Sequence, residues 1–186
     1  MARWTKVKWT EAAQIAEQLD WPDDARAGAG VPPSAYFAQL RAQGRVRDAV
    51  QYLGQALGRF EAVVWATHVV QANLDGDELP DEALTATIQW TRNPSEAHRR
   101  AAFAAADKAR RESPSRLAAL AAFFSGGSMS PDGQPPVPTP RDAAGRLAAG
   151  AVLMAAIQSK DRAASLDSAL DQGDAIASGT VEAKIS

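Results

Sequence analysis

Three points in the chain join a helix-capping residue directly to a proline, and they limit the possible folds more than any other feature. They are Asn93-Pro94, Ser113-Pro114 and Thr139-Pro140. An Asn, Ser or Thr side chain accepts hydrogen bonds from the free amides at a helix start, and proline presets a helical φ at the first helical position. Each pair therefore predicts the start of a helix.

Acids and glycines around these pairs support the same division of the chain. Glu96 and Asp142 stand three residues after two of the caps, where a carboxylate favours the positive end of the helix dipole. Gly44, Gly58 and Gly126 follow apolar periodic stretches, where a left-handed helix stop is least costly for glycine. The glycines predict helix ends.

The signals together predict an all-α protein. Helices are expected over 10–19, 33–43, 45–57, 59–74, 80–92, 94–111, 114–125 and 140–158, and a ninth, weaker pattern covers 161–178. No stretch alternates polar and apolar residues with β-branched enrichment, so no sheet is expected. Short turns around Gly44 and Gly58 imply that consecutive helices are antiparallel neighbours, as in a bundle or a helical-hairpin array.

The predicted domain organisation is an arm, a helical body and a tail. The arm, over 1–9, is basic and contains Trp4 and Trp9; the body covers 10–178 and the tail 179–186. The two tryptophans have two interpretations, because a large indole can pack the arm onto the body or anchor a partner protein.

A connection over 125–139 interrupts the helical body and is rich in Gly, Pro and Ser. A connection this long inside a helical domain is unusual, and it is either a binding loop or a packed connector that reverses the chain. In the first interpretation its prolines lower the ordering cost of binding. The residues predicted to contact a partner are Phe124, Met129, Pro131, Pro135 and Pro136, together with Trp4 and Trp9 of the arm.

Composition excludes some functions. The chain of 186 residues has no cysteine, which removes disulfides, thiolate ligands and cysteine nucleophiles. A formal charge of −2 gives no global attraction to nucleic acid or to an anionic membrane. No apolar run approaches the ~20 residues that span a bilayer, and no secretory signal follows the basic start, so a cytoplasmic protein without a membrane span is expected.

The motif search predicts no catalytic residue, metal ligand or cofactor. Glu61 and His68 are seven positions apart and share a helix face, but two groups make an incomplete site, and a half-buried structural His68 is favoured. The acidic stretch over 73–78 lacks the glycine and glutamate positions of a calcium loop. His98, beside two arginines in the first turns of a helix, is expected at the surface.

Basic residues outnumber acids between Arg92 and Arg116, which leaves a nucleic-acid interpretation open. The basic positions cannot all share one helix face, and aromatic residues for base stacking are nearly absent there. A solvated helix, or one that docks an acidic protein, is the favoured interpretation, so nucleic acid is an unlikely partner.

Five short patterns resemble those of a bacterial all-helical family of unknown function. They are Ser34-Ala35-Tyr36-Phe37, Val64-Trp65-Ala66, Asn93-Pro94-Ser95-Glu96, Phe124-Ser125-Gly126-Gly127-Ser128 and Ala149-Gly150-Ala151-Val152-Leu153. The resemblance covers roughly 10–179. Members of that family are sometimes encoded near type VI secretion genes, so the resemblance implies an accessory role and no established activity, and it carries over no catalytic residue.

The function expected from the sequence is that of a non-enzymatic accessory, adaptor or chaperone-like factor. Its partner is expected to be another protein, such as a component or effector of a type VI secretion system. A small enzyme or enzyme regulator, with a polar site assembled from dispersed residues, is the first alternative. A helical nucleic-acid-binding protein is the second. The sequence does not indicate an oligomeric state.

Overall fold

All the regular structure in the described part of the chain is helical. The computed structural model describes residues 3–131 and 133–184; positions 1, 2, 132, 185 and 186, which belong to the predicted arm, connection and tail, lie outside these ranges. The helices are α1 (Ala12–Gln18), α2 (Pro33–Ala42), α3 (Val46–Ala56), α4 (Arg59–Ala72), α5 (Glu82–Arg92), α6 (Glu96–Lys108), α7 (Pro114–Phe124), α8 (Ala143–Gln158) and α9 (Arg162–Ser178), with a 3-10 turn at Asp23–Ala25. The prediction of an all-α domain is confirmed.

Of the three capping pairs, only one begins a helix where predicted. Ser113 caps α7 by accepting a hydrogen bond from the amide of Arg116, and Pro114 is the first helical residue. The prediction was wrong for the other two. Ser95 caps α6, two residues after Asn93, and α8 begins at Ala143, three residues after Pro140. A second polar residue just downstream, Ser95 or Asp142, stands at the helix start in each case, so the proline lies in the preceding turn.

The two glycines predicted to reverse the chain behave differently. Gly44 has φ +69°, and α2 and α3 on either side of it pack together. Leu57 and Gly58 are both extended, with φ near −60° and ψ near 154°, and Gly58 precedes the first residue of α4. Two successive extended residues make a corner instead of a reversal. The prediction that α3 and α4 pack as close neighbours was therefore wrong; each packs against α8 instead.

Helix α8 lies at the centre of the domain and packs against α3, α4, α7 and α9. It is lined with buried small residues, which allow close helix approach. Helices α8 and α3 cross closely: a Cβ atom added to Gly54 would lie 2.7 Å from the backbone oxygen of Gly145. On the neighbouring α4, Trp65 is fully buried and donates a hydrogen bond to the backbone oxygen of Ala169 in α9 over 2.8 Å.

Candidate functional site

The 125–139 connection has a defined backbone conformation. Ser128 and Pro138 form an isolated antiparallel bridge, and the amide of Met129 donates to the backbone oxygen of Val137 over 2.8 Å. The hydroxyl of Ser128 accepts hydrogen bonds from the amides of Ser130 and Val137, each 3.0 Å long. These bonds close the connection into a narrow loop whose two sides are held together near its base.

Arg99 of α6 fastens the base of this loop to the domain. Its side chain is only 4% exposed. The guanidinium donates to both carboxylate oxygens of Glu96, at 2.7 Å each, and to the backbone oxygens of Phe123 at 2.6 Å and Ser128 at 2.8 Å. It also lies over the Phe123 ring, 4.5 Å from the centroid. The interpretation of Arg99 as part of a solvated surface was wrong, because the end of α7 and the connection cover it.

Arg100 and Glu96 extend the same network to the protein surface. Arg100 donates to Glu96 over 2.8 Å and to the backbone oxygen of Ser130 over 2.6 Å. Hydrogen bonds from Arg99 and then from Arg100 lower the pKa of the Glu96 carboxyl to about 2. Gly127, with φ +67°, lies against the Arg99 guanidinium, and an added Cβ there would be 2.9 Å from it. The network therefore needs glycine at this position.

The outer side of the connection is apolar and accessible. Pro131, Pro135 and Pro136 are exposed, and Val137 is 46% exposed. Met129 is half-buried. Phe124 is also half-buried, at the end of α7, with its ring edge-on to Phe123 at 5.2 Å. Of the five partner-contact residues predicted in this part of the chain, the three prolines are exposed, and Phe124 and Met129 are half-buried.

The two tryptophans of the arm differ in burial. Trp4 is 7% exposed, packs on Phe37 at 5.1 Å and donates to Asp174 over 2.5 Å. Its indole is thus covered in this structure, as the packing interpretation of the arm describes. Trp9 is half-buried and donates to the backbone oxygen of Gln55 over 3.2 Å.

Two sizeable cavities flank Trp9. The larger, about 810 Å³, lies between the arm and the start of α2. The smaller, about 510 Å³, lies where α3 and α8 cross and the α3–α4 corner begins. Residues that line the smaller cavity include Lys8, Arg59, Arg141, Gln55 and Gly145, together with Trp9, and we call it the crossing cavity. Both volumes fall within the range of small-molecule sites.

Glu61 and His68 are the pair considered for the enzyme alternative. Neither residue lines either of the two cavities beside Trp9. The His68 ring contacts the amide nitrogen of Gln172 at 3.2 Å, and burial lowers the pKa of the imidazole. Within residues 3–131 and 133–184, no three His, Asp or Glu side chains converge as metal ligands would.

The basic stretch between Arg92 and Arg116 is partly engaged in contacts within the chain, while Arg92, Lys108, Arg110 and Arg111 are exposed. Besides Arg99 and Arg100, Lys108 pairs with Glu82 over 2.8 Å, and Arg116 donates to the backbone oxygen of Ala106 over 3.1 Å. These contacts reduce the positive charge available to a nucleic acid.

Two residues of interest, Arg99 and Gln55, were missed by sequence reasoning. The spacing of Glu96 and Arg99 by three positions is a signal for a helix pair, but it does not distinguish a surface pair from a buried one. Gln55 sits within an apolar periodic stretch and carries no signal of its own. Its burial follows from the distant Gly145, which only the fold brings next to it.

Comparison with known proteins yields one match. A family model described as "Family of unknown function (DUF6931)" matches residues 36–177. The match begins after the arm and α1, inside α2, and ends within α9. No curated protein and no solved structure gives a significant match. None of the helices in the described residues has the length and apolar character needed to cross a membrane.

Proposed function

The chain belongs to the family of unknown function DUF6931, and we propose that it acts without catalysis, as an adaptor-like domain that binds another protein through the 125–139 connection. The supporting observation is the contrast between the two sides of this connection. Its inner side is held by the buried Arg99, whereas its outer side presents Pro131, Pro135, Pro136 and Val137 to solvent.

A loop that is held in place on its inner side and exposes apolar side chains on its outer side is suited to binding another protein. An ordered loop loses little conformational entropy when it meets a partner, and proline loses less than other residues. The exposed apolar side chains supply area that a partner can cover, and the half-buried Met129 is a flexible side chain that can adapt to its surface.

The partner class proposed is a protein component or effector of a type VI secretion system. This part of the proposal rests on the resemblance of the sequence patterns to a bacterial family encoded near such genes. The accessory role implied by that resemblance agrees with a domain that presents an ordered loop with exposed apolar side chains.

The test is affinity capture from the native organism with a matched pair of valine variants. Val137 and Val181 are exposed to a similar degree, 46% and 51%, but only Val137 lies in the connection. Val137→Asp places a charge among the exposed prolines and keeps the backbone hydrogen bonds of residue 137. Val181→Asp makes the same change elsewhere.

We expect the unmodified protein and Val181→Asp to capture the same stoichiometric partner, and Val137→Asp to lose it. The double variant Phe124→Ala with Met129→Ala should weaken the same complex while the domain stays folded. Equal capture by both valine variants would contradict the proposed surface, and failure of the unmodified protein to capture a partner would contradict the adaptor role.

A further inference from the structure

The outer side of the α7–α8 helix pair is an apolar surface that is partly open to solvent. Its residues are Leu117 and Leu120 of α7 and Leu147, Gly150, Met154 and Ile157 of α8, and we call this surface the α7–α8 face. Ile157 is 57% exposed and the other five residues are half-buried. The four α8 positions are three or four apart, which places them on one side of that helix. Helix α8 therefore packs into the core through one side and presents an apolar stripe on the other.

The two helices lie side by side and antiparallel. The side-chain amide of Gln158, at the end of α8, donates to the backbone oxygen of Glu112, just before α7, over 3.0 Å. In the middle of the pair, Leu117 lies beside Gly150. The apolar surface is thus continuous across both helices, and surfaces of this kind mark sites of association in soluble proteins.

Gly150 is the feature of this face that the fold does not explain. The glycines inside the described helices are Gly54, Gly145, Gly150 and Gly173. A Cβ added to Gly54 or Gly145 would lie 2.7 Å or 2.6 Å from the opposite helix, and one added to Gly173 would clash with Leu53. At Gly150 the nearest atom would be Cδ1 of Leu117, at an ordinary contact distance of 3.5 Å, so alanine would fit there. Glycine destabilises a helix interior relative to alanine, so packing within one chain gives no reason for it.

The missing side chain leaves a notch in the middle of the face. Gly150 also lines a surface cavity of about 300 Å³, so its outer side is accessible. A glycine on a helix surface lets a second helix approach closely, because small side chains reduce the distance between helix axes. The occupant that fits the notch is therefore a helix.

The charge of the face favours a second copy of this chain. In a twofold interface each patch meets itself, so a patch with unpaired charge would repel its copy. Helix α8 contains one charged residue, Arg146. It is paired with Asp142 over 2.6 Å and with Asp20 over 2.5 Å. The face thus has no unpaired charge on α8 to select an acidic or basic partner, and its apolar side chains are complementary to themselves.

The size of the face is sufficient for a weak dimer. The 16 residues of α8 span about 24 Å and the 11 residues of α7 about 16 Å, and each helix is about 12 Å wide with its side chains. The face therefore measures roughly 500 Å² on each copy. Two copies together would bury about 1,000 Å², which is the size of a weak, reversible interface.

We propose that two copies of this chain associate through the α7–α8 face, around a twofold axis near Gly150. The α8 helices cross at the two notches, and Leu147 and Met154, on either side of Gly150, pack against the same residues of the second copy. Because the interface is the same patch on both copies, association stops at two. This surface is separate from the exposed prolines of the 125–139 connection, so it stands or falls independently of the proposed protein partner.

The test is sedimentation equilibrium of the full chain, from roughly 1 μM to 1 mM, a range that covers weak affinities. Two variants change the face: Ile157→Asp adds a charge at an exposed position, and Gly150→Ala fills the notch. Two variants are controls outside it, Val181→Asp and Val137→Asp, and both valines are exposed to a degree similar to that of Ile157. Thermal melting checks that each variant is folded.

We expect the unmodified protein to reach twice the mass of one chain, with a Kd on the order of micromolar to 100 μM. Ile157→Asp should raise this Kd about a hundredfold or more, because two carboxylates would be buried near an apolar twofold axis. Gly150→Ala should raise it about tenfold or more, because the helices can no longer approach closely. It should also raise the melting temperature of the single chain, since alanine favours the helix. Both controls should keep the unmodified Kd.

Four results would overturn the proposal. The first is a protein that stays at the mass of one chain up to roughly 1 mM. The second is association that continues beyond two copies, which a twofold interface does not allow. The third is an unmodified Kd in folded Gly150→Ala or folded Ile157→Asp. The fourth is equal weakening by Val137→Asp and Ile157→Asp, which would place the contact at the 125–139 connection or in general charge repulsion.

Discussion

Two buried polar side chains, Arg99 under the 125–139 connection and Gln55 at the crossing cavity, have opposite hydrogen-bonding states. Arg99 is a charged group at 4% exposure whose donors reach two carboxylate oxygens and two backbone oxygens. Gln55, a neutral group at 7% exposure, has an amide oxygen without a partner in the described residues.

The difference separates a buried polar group that the fold satisfies from one that the fold leaves unpaired. Burial of a charge is tolerated only when hydrogen bonds replace its water, and Arg99 meets this condition entirely within the chain. The amide oxygen of Gln55 has lost its water without gaining a hydrogen bond, so its burial destabilises the folded protein. Arg99 and Gln55 are similarly buried, so only their hydrogen-bond partners distinguish them.

The largest expected effect on stability is that of replacing Arg99, the buried group whose hydrogen bonds are formed within the chain. Arg99→Met should lower the free energy of unfolding by about 3–5 kcal/mol, because it leaves Glu96 and two backbone oxygens without their donor. Urea denaturation measures the change. Arg111→Met, at an exposed position, should change it by about 0.5 kcal/mol or less. A loss below about 1 kcal/mol in Arg99→Met would contradict the structural role of Arg99.

A smaller effect is expected from the glycine that lies against Arg99. Gly127→Ala places a Cβ 2.9 Å from the guanidinium at a residue with φ +67°, and should destabilise the protein by about 1–2 kcal/mol. Gly126 is the matched control, since it has no positive φ and no atom within 4 Å of an added Cβ. Equal denaturation midpoints for the two alanine variants would show that the connection shifts freely around Arg99.

Replacing Gln55, whose amide oxygen is unpaired, should not lower the free energy of unfolding as replacing Arg99 does. Gln55→Leu removes the unpaired acceptor and keeps a side chain of similar size, so the free energy of unfolding should stay level or rise by up to about 1 kcal/mol. Gln71→Leu, at a half-buried position of α4, serves as the control and should be nearly neutral. A loss of more than about 2 kcal/mol in Gln55→Leu, measured by urea denaturation of the protein alone, would mean that the Gln55 amide oxygen accepts a hydrogen bond in solution.

The smallest effect concerns acid stability at the surface end of the Arg99 network. The pKa of Glu96 is about 2 in the folded protein against 4.5 in its ordinary state, so the unfolded chain binds the proton more tightly. The stabilisation is therefore complete above about pH 4.5 and is lost as the pH falls towards 2. Glu96 is 54% exposed, and solvent screening limits the effect to about 1 kcal/mol.

Denaturation of the unmodified protein and of Glu96→Gln at a series of pH values measures how much the ionised Glu96 stabilises the protein. The difference in stability between them should shrink between pH 5 and pH 3, a window set by the two pKa values of Glu96. A difference that stays constant over this range would contradict the lowered pKa.

Most of the helices could be predicted because their signals are local. The nine predicted segments each contain one of the nine helices seen in the described residues, and Ser113-Pro114 begins α7 as expected. The errors concern the residues at which helices begin. Asn93-Pro94 failed because Ser95 caps the helix instead, and Thr139-Pro140 failed because α8 begins only after Asp142, which makes no side-chain capping hydrogen bond; sequence spacing does not decide between neighbouring helix starts.

The candidate sites were predictable only in part. The connection stood out because Gly, Pro and Ser exclude regular structure, and its prolines lie at the surface. The burial of Arg99 could not be predicted, because it depends on the backbone oxygen of Ser128, 29 positions away. The crossing cavity was missed altogether, since Lys8, Arg59 and Arg141 are far apart in the chain.

By itself the sequence determined the class of the fold, the number of helices and the position of the long connection, since capping, proline geometry and apolar periodicity act over a few residues. Tertiary structure decided that α8 lies at the centre, that Leu57 and Gly58 form a corner, and that Arg99 is satisfied while Gln55 is not. These outcomes depend on which surfaces meet, and contacts such as Trp4 with Asp174, 170 positions apart, are formed only when the whole chain packs.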